Sequence, residues 1–308
     1  MISVLFNNHV VLYISWLGVG LNNLYGFFLF GCFAIQIVTG ILLSLYYSSS
    51  SAISFSSIYY LSFDVSYGYI IRMLHVIGSF LCIYLLYVHF ARSFYYSFNF
   101  SLLSHNFRAV YFSGLLILVL SLAVSFLGYC LVWGQMSYWG VQVIINVLTV
   151  LAHPLDFLLP ELIYSSSQLV LYRFFVLHFL LSLIILFLIL VHLYLLHTYT
   201  SSNTFLNLSS SLFISFYLFV FKDFYYYFIF YLSICCFIFF YNFEFLSNPV
   251  NLIPASSLST PLHILPESYF LIYYSLLRAL PSKLFGIIIV LVYMFYILFP
   301  ITTMSYLS

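Results

Sequence analysis

The stretch GYIIRMLHVIGSFLCIYLLYVHFARSFYY, Gly68 to Tyr96, decides how the rest of the chain is read. It carries two arginines, no acidic residue, and apolar or aromatic side chains almost throughout. A run of about 20 such residues crosses a bilayer as a helix, because only a helix satisfies its own backbone in hydrocarbon. Two histidines lie inside it, His75 and His89, 14 residues apart. Fourteen helical steps return to within about 40° of the same direction and climb about 21 Å. The helix therefore presents two imidazoles on one face, near opposite leaflets. An ionisable residue inside a span marks a functional site by default.

Working outward, the interval recurs. His178 and His192 are 14 residues apart on a second apolar run, Leu169 to Thr198. Gly26 and Gly40 share it on the run Asn22 to Tyr47, and Gly114 and Gly128 on Ala109 to Trp133. Paired imidazoles at two depths suit two bis-histidine haems stacked across the membrane, since neutral imidazole nitrogen is a good axial ligand. Glycine lacks the Cβ that would collide with a flat macrocycle. Two helices supply ligands and two supply clearance. A lone intramembrane histidine is as easily a packing residue, and a lone glycine a helix-packing one. The shared interval on four helices is what favours the metal reading.

Composition agrees with a membrane chain. Of 308 residues, 65% are hydrophobic and 4% charged, against roughly a quarter charged in soluble domains. A net charge of +1 gives nucleic acid no footprint to hold. Met1 to Gly20 has no basic n-region, so no cleaved leader is expected. Heavy use of Phe and Tyr, with Ser as the main polar filler, points to an AT-rich organellar genome. The five cysteines (Cys32, Cys82, Cys130, Cys235 and Cys236) sit in apolar runs without C-x-x-C spacing, and read as buried hydrophobes. Covalent haem attachment would need C-x-x-C-H, which is absent.

About six spans are expected: all-α, polytopic, with a four-helix di-haem bundle over residues 1–200 and a C-terminal part over 201–308. The mixed stretch Gly134 to Gln168 is too polar for a span and reads as short surface helices. Lys222 and Asp223 break the next apolar run, which sets them at the membrane edge and starts the fifth span near Phe224. A Pro/Asn/Ser-rich loop, Asn242 to Glu267, precedes a last span at Leu284 to Phe299. Basic residues are balanced between the two sides, so the positive-inside rule does not orient the chain.

With these residues in view, the chain resembles the mitochondrial cytochrome b family. The segments QIVTG (Gln36 to Gly40), YGYIIRMLH (Tyr67 to His75) and GYCLVWGQMSYWG (Gly128 to Gly140) carry the resemblance. So do RFFVLHF (Arg173 to Phe179), TPLHILPESYF (Thr260 to Phe270) and LLRALPSKLFG (Leu276 to Gly286). The resemblance implies that His75 and His178 bind a low-potential haem near the intermembrane face. It implies that His89 and His192 bind a high-potential haem near the matrix. Gly26, Gly40, Gly114 and Gly128 would border those haems, and Arg72 and Arg92 would pair with their propionates, for which a guanidinium is suited. Glu267 and Tyr269, with Met136, Trp139 and Gly140, would form the quinol-oxidising pocket. His197 and Asp223, beside Lys222, would serve the quinone-reducing site.

The implied activity is that of a quinol–cytochrome c reductase subunit in the mitochondrial inner membrane, working by a Q cycle on ubiquinol and ubiquinone. A Rieske iron–sulfur protein, cytochrome c1 and a second copy of the complex are the implied partners, and mitochondrial encoding is expected. The chloroplast-type b6 relative has one more residue between its second pair of histidines, which favours the mitochondrial type. The alternative from a different class is a haem-free transporter or channel, which would lack a b-type spectrum.

The chain departs from the family pattern in places. Ser268 stands where the Pro-Glu motif has Trp, Val132 and Ser182 where prolines are usual, and Phe27 where a serine serves the quinone-reducing site. Two of the family's eight helices are not expected in this sequence, and a separate subunit is expected to cover the flank they would occupy.

Overall fold

The structure, a computed structural model, describes residues 14–16, 24–99, 105–152, 167–199, 213–240 and 248–298. Four helices form its centre: α1 (Tyr25–Ser44), α3 (Gly68–Asn99), α4 (His105–Leu131) and α6 (Ser167–Tyr199). Among the described residues these four are long and apolar enough to cross a membrane. The short α2 (Ser54–Phe63) bridges α1 and α3, and α5 (Gln135–Ala152) follows α4. The C-terminal part holds α7 (Phe216–Phe240), a 3-10 turn at Pro249–Leu252 and another at Ser268–Phe270. It ends in α8 (Leu271–Arg278) and α9 (Lys283–Leu298). Two three-residue strands, β1 (Ile14–Trp16) and β2 (Phe213–Ser215), pair antiparallel at the foot of α7.

The bundle is two intimate pairs, α1 against α3 and α4 against α6, joined through α3 and α4. Its core is a continuous apolar layer that includes Leu29, Ile83, Leu118, Ile185 and Ile189. Helix ends that would expose backbone are tied instead. Ser51 donates N–H and Oγ–H to Gln168 Oε1 at 2.7 and 3.1 Å, which fastens the α1–α2 loop to the start of α6. The turn after α4 uses Trp133 at φ 54, a left-handed residue, and is zipped to the 251–259 segment. Gln135 N–H donates to Ile253 O at 2.9 Å, and Ala255 N–H to Trp133 O at 3.2 Å.

Two element boundaries are set by the structure. α7 begins at Phe216, so Lys222 and Asp223 lie inside a helix rather than before it. Neither residue type is a helix breaker, and a charge marks a change of solvent rather than the end of a helix. Among its described residues the stretch after Gly134 forms an 18-residue helix, α5, longer than the short helices expected; the expectation for residues 153–166 lies outside the described residues.

Candidate functional site

Each glycine of the shared interval faces one histidine, across its own helix pair. A methyl group on Gly26 would stand 3.5 Å from His89 Cε1, and one on Gly40 3.1 Å from His75 Cε1. On the other pair, Gly114 would meet His192 Cε1 at 3.2 Å and Gly128 would meet His178 Cε1 at 2.8 Å. The clearance therefore belongs first to the imidazole ring. That explains why the glycine interval copies the histidine interval.

The rings are also oriented. His75 Nδ1 lies 2.9 Å from Thr39 Oγ1. That hydroxyl donates its own proton to the Ile35 carbonyl at 2.7 Å, so it can only accept from the imidazole. Ser113 repeats the arrangement: it donates to Val110 O at 2.8 Å and lies 2.8 Å from His192 Nδ1. His178 Nδ1–H donates directly to the Val124 carbonyl at 2.9 Å. The carbonyls beside these three rings, Gln36, Val110 and Val124, each lie four residues before the facing glycine. With Nδ1 protonated, the lone pair is on Nε2, and the hydrogen bond fixes the ring's direction. His89 Nδ1 is buried with no hydrogen-bond partner among the described residues. The residue four before Gly26 is Asn22, which lies outside them.

A haem fits this donor set. The His75 and His178 ring centres are 6.3 Å apart. A ligating imidazole nitrogen sits about 2 Å from its metal and its ring centre about 1 Å further, so two axial rings stand roughly 6 Å apart. The two rings are inclined at 72°, so they do not stack on one another. The pair opens into a cavity lined also by Gly40, Gly128, Arg72 and Glu267. Arg72 is oriented by donating from Nη1 to Ser62 Oγ at 3.0 Å. Arg92 lies three residues beyond His89 on α3, half-buried at the other end.

Glu267 and Tyr269 reach the same cavity from the 3-10 turn. Burial pushes the Glu267 carboxyl up to about 7. Tyr269 is 4% exposed and packs edge-on against Phe80 of α3 at 5.2 Å. Met136, Trp139 and Gly140 do not line this cavity. They lie on α5, where Met136 is buried and Gly140 faces open space. Trp139 Nε1–H donates to Gln135 Oε1 and Ser259 O, both at 3.1 Å. In this structure Trp139 thereby joins the zipper under the turn after α4. At the other end, His197 occupies the last turn of α6, and Asp223 is buried near the start of α7. α6 and α7 both pack on α1. Lys222 Nζ is 3.7 Å from Asp223 Oδ1. Phe27 packs edge-on against Phe224, the residue after Asp223, at 5.1 Å.

Thr39, Ser113 and the Val124 carbonyl are site groups that the sequence reading missed. A Ser or Thr one residue before two of the four glycines was the available signal.

Comparisons with known proteins agree with this geometry. The family model for cytochrome b/b6/petB matches residues 15–200, and that for cytochrome b(C-terminal)/b6/petD matches 254–307. Cytochrome b of Vanderwaltozyma polyspora is 37% identical over 265 residues, 83% of this chain and 66% of that protein. Cytochrome b of Brachionus plicatilis is 34% identical over 287 residues, 91% of this chain and 73% of that protein. The chain thus spans about two thirds of the length of the curated relatives it matches. Among solved structures, a chain of a hyperthermophilic respiratory Complex III superposes with a TM-score of 0.85 at 28% identity, covering 96% of this chain and 79% of the other. Ordered matches over both parts of the sequence, with a shared fold, leave one conclusion: the chain belongs to the cytochrome b/b6 family.

Proposed function

We propose that this chain is the cytochrome b subunit of a quinol:cytochrome c oxidoreductase, with a di-haem part over 1–200 and a quinol-site part over 201–308. The observation that carries the reading is the shared cavity: the His75–His178 pair and the Glu267 carboxyl line one space. His75 with His178, and His89 with His192, would hold two non-covalent b-type haems, each through Nε2. Arg72 and Arg92 would face their propionates. Bound haem at the two depths supplies one-electron transfer across the membrane, between a quinol-oxidising and a quinone-reducing site.

The chain's own residues handle binding and protons. Oxidising a quinol releases two protons, so the site needs a base that can take one and pass it on. A carboxyl held at about 7 by burial is part-ionised at neutral pH and does both. Tyr269, fixed against Phe80, closes the wall beside it. At the opposite end His197 and Asp223 would deliver protons to a quinone, Asp223 being buried with an ammonium 3.7 Å away. The proposed setting is the mitochondrial inner membrane, in a mitochondrially encoded chain. It would act on ubiquinol and ubiquinone, in a homodimeric complex with a Rieske iron–sulfur protein and cytochrome c1.

The test is a reduced-minus-oxidised spectrum of the purified complex together with quinol-dependent cytochrome c reduction. Two b-type components and turnover are expected. A colourless preparation would return the chain to the transporter or channel class.

A further inference from the structure

Phe80, Tyr84 and Tyr87 recur at i, i+4 and i+7 on α3 and so share a face. That face is about 120–180° round the helix from the one carrying His75 and His89. All three residues meet the turn that follows Glu267. Phe80 packs edge-on against the Tyr269 ring at 5.2 Å. The Tyr84 hydroxyl lies 2.7 Å from Ser268 Oγ. The Tyr87 hydroxyl donates to the Tyr269 carbonyl at 3.0 Å. Ser268 is the residue that departs from the motif's Trp, and an indole has no oxygen to offer a phenol. Tyr84 is 46% exposed within a membrane span, where a hydroxyl has no water to pair with. Its bond to Ser268 is therefore worth more than the same contact at an aqueous surface.

We propose that Tyr84 and Tyr87 are positioning residues for Glu267: α3 grips the two residues that follow it, and so keeps its carboxyl in the cavity shared with His75 and His178. This rests on the functional reading above. One helix then holds the histidines on one face and the proton acceptor's turn on the other. The grip acts on 268 and 269 from the helix face turned away from the histidines, so a change in either tyrosine should move Glu267 and leave the imidazoles alone.

The experiment uses the intact complex carrying Y84F, Y87F, S268A, S268T or Y84F with S268A. Phenylalanine removes one oxygen and keeps the ring, so the bundle is preserved. Quinol-dependent turnover is measured across pH, with both haem spectra recorded on the same samples. Y84F, Y87F and S268A should each lower kcat about three- to tenfold, the scale of one hydrogen bond, with KM little changed. Their acid limb should move to lower pH as Glu267 gains solvent, while the spectra match wild type. The double variant should be no slower than its slower single, because the two changes break one bond. S268T, which restores a hydroxyl, should keep the wild-type rate. Wild-type kcat and pH profile in both Y84F and Y87F would overturn the proposal. So would losses in Y84F and S268A that multiply in full. A wild-type complex that holds both haems but oxidises no quinol would take down the functional reading, and this inference with it.

Discussion

A methyl group at position 128 would sit 2.8 Å from His178 Cε1, and one at position 26 would sit 3.5 Å from His89 Cε1. The first is shorter than a carbon–carbon contact allows, and the neighbour is a rigid ring tied to the Val124 carbonyl. The second is ordinary contact. Gly128→Ala should therefore weaken retention of the haem proposed at His75 and His178 by about fivefold or more, the lower end of an overpacking cost of roughly 1–3 kcal/mol. Gly26→Ala should keep both haems, and Gly40→Ala and Gly114→Ala should fall between. Haem-to-protein ratio in the purified variants reads this order directly, and loss in Gly26→Ala before Gly128→Ala would refute it. The hydroxyls predict something separate. An acceptor at Nδ1–H raises the basicity of the ligating nitrogen and so favours oxidised iron. Ser113→Ala should raise the midpoint potential of the haem at His89 and His192 alone, and Thr39→Val that of the other haem alone. A redox titration that resolves the two components checks both.

At the scale of elements, α3 and α6 each carry one histidine of each pair, while α1 and α4 hold the rings in place from outside. The two depths share helices but not contacts: Gly40, Thr39 and Gly128 serve one pair, Gly26, Ser113 and Gly114 the other. His89→Ala should accordingly remove one b-type component and leave the other, turning a two-step redox titration into one step. Loss of both, or of neither, would contradict the pairing. Much of this was legible in the sequence, because a 14-residue interval is a statement about one helix face that survives any detail of packing. The facing of each glycine to one histidine was not legible, since spacing along a chain does not say which helix stands opposite. The start of α7 was not legible for a related reason. A charged pair interrupts an apolar run without ending a helix, and α7 begins six residues before Lys222, at Phe216. Trp139 shows what spacing along a chain cannot give: its indole N–H is taken by Gln135 and by the Ser259 carbonyl, a partner 120 residues away.

For the whole molecule, the decisive quantity is the proton at Glu267. Its carboxyl is pushed up to about 7 because burial penalises the ionised form. A base must be ionised to accept, so quinol oxidation should rise with pH through about 7 and level off above it. In Glu267→Gln that limb should vanish, with turnover lower by about a hundredfold, the smaller end of what a positioned base supplies. Both haems should assemble, since the four imidazoles make no contact that depends on this carboxylate. The same shift bears on stability with a definite sign. The folded state holds this proton more tightly than the unfolded chain, so the contribution is present below the ordinary carboxyl value. It is lost as pH rises from about 4.5 to about 7. Glu267→Gln should therefore flatten the decline of thermal stability over that window while slowing the enzyme, opposite effects from one atom exchanged. A purely structural carboxylate would give neither the limb nor the rate loss. A variant that turns over at the wild-type rate with the limb intact would remove Glu267 from the proton path and leave the haem bundle as the only part of the site still standing.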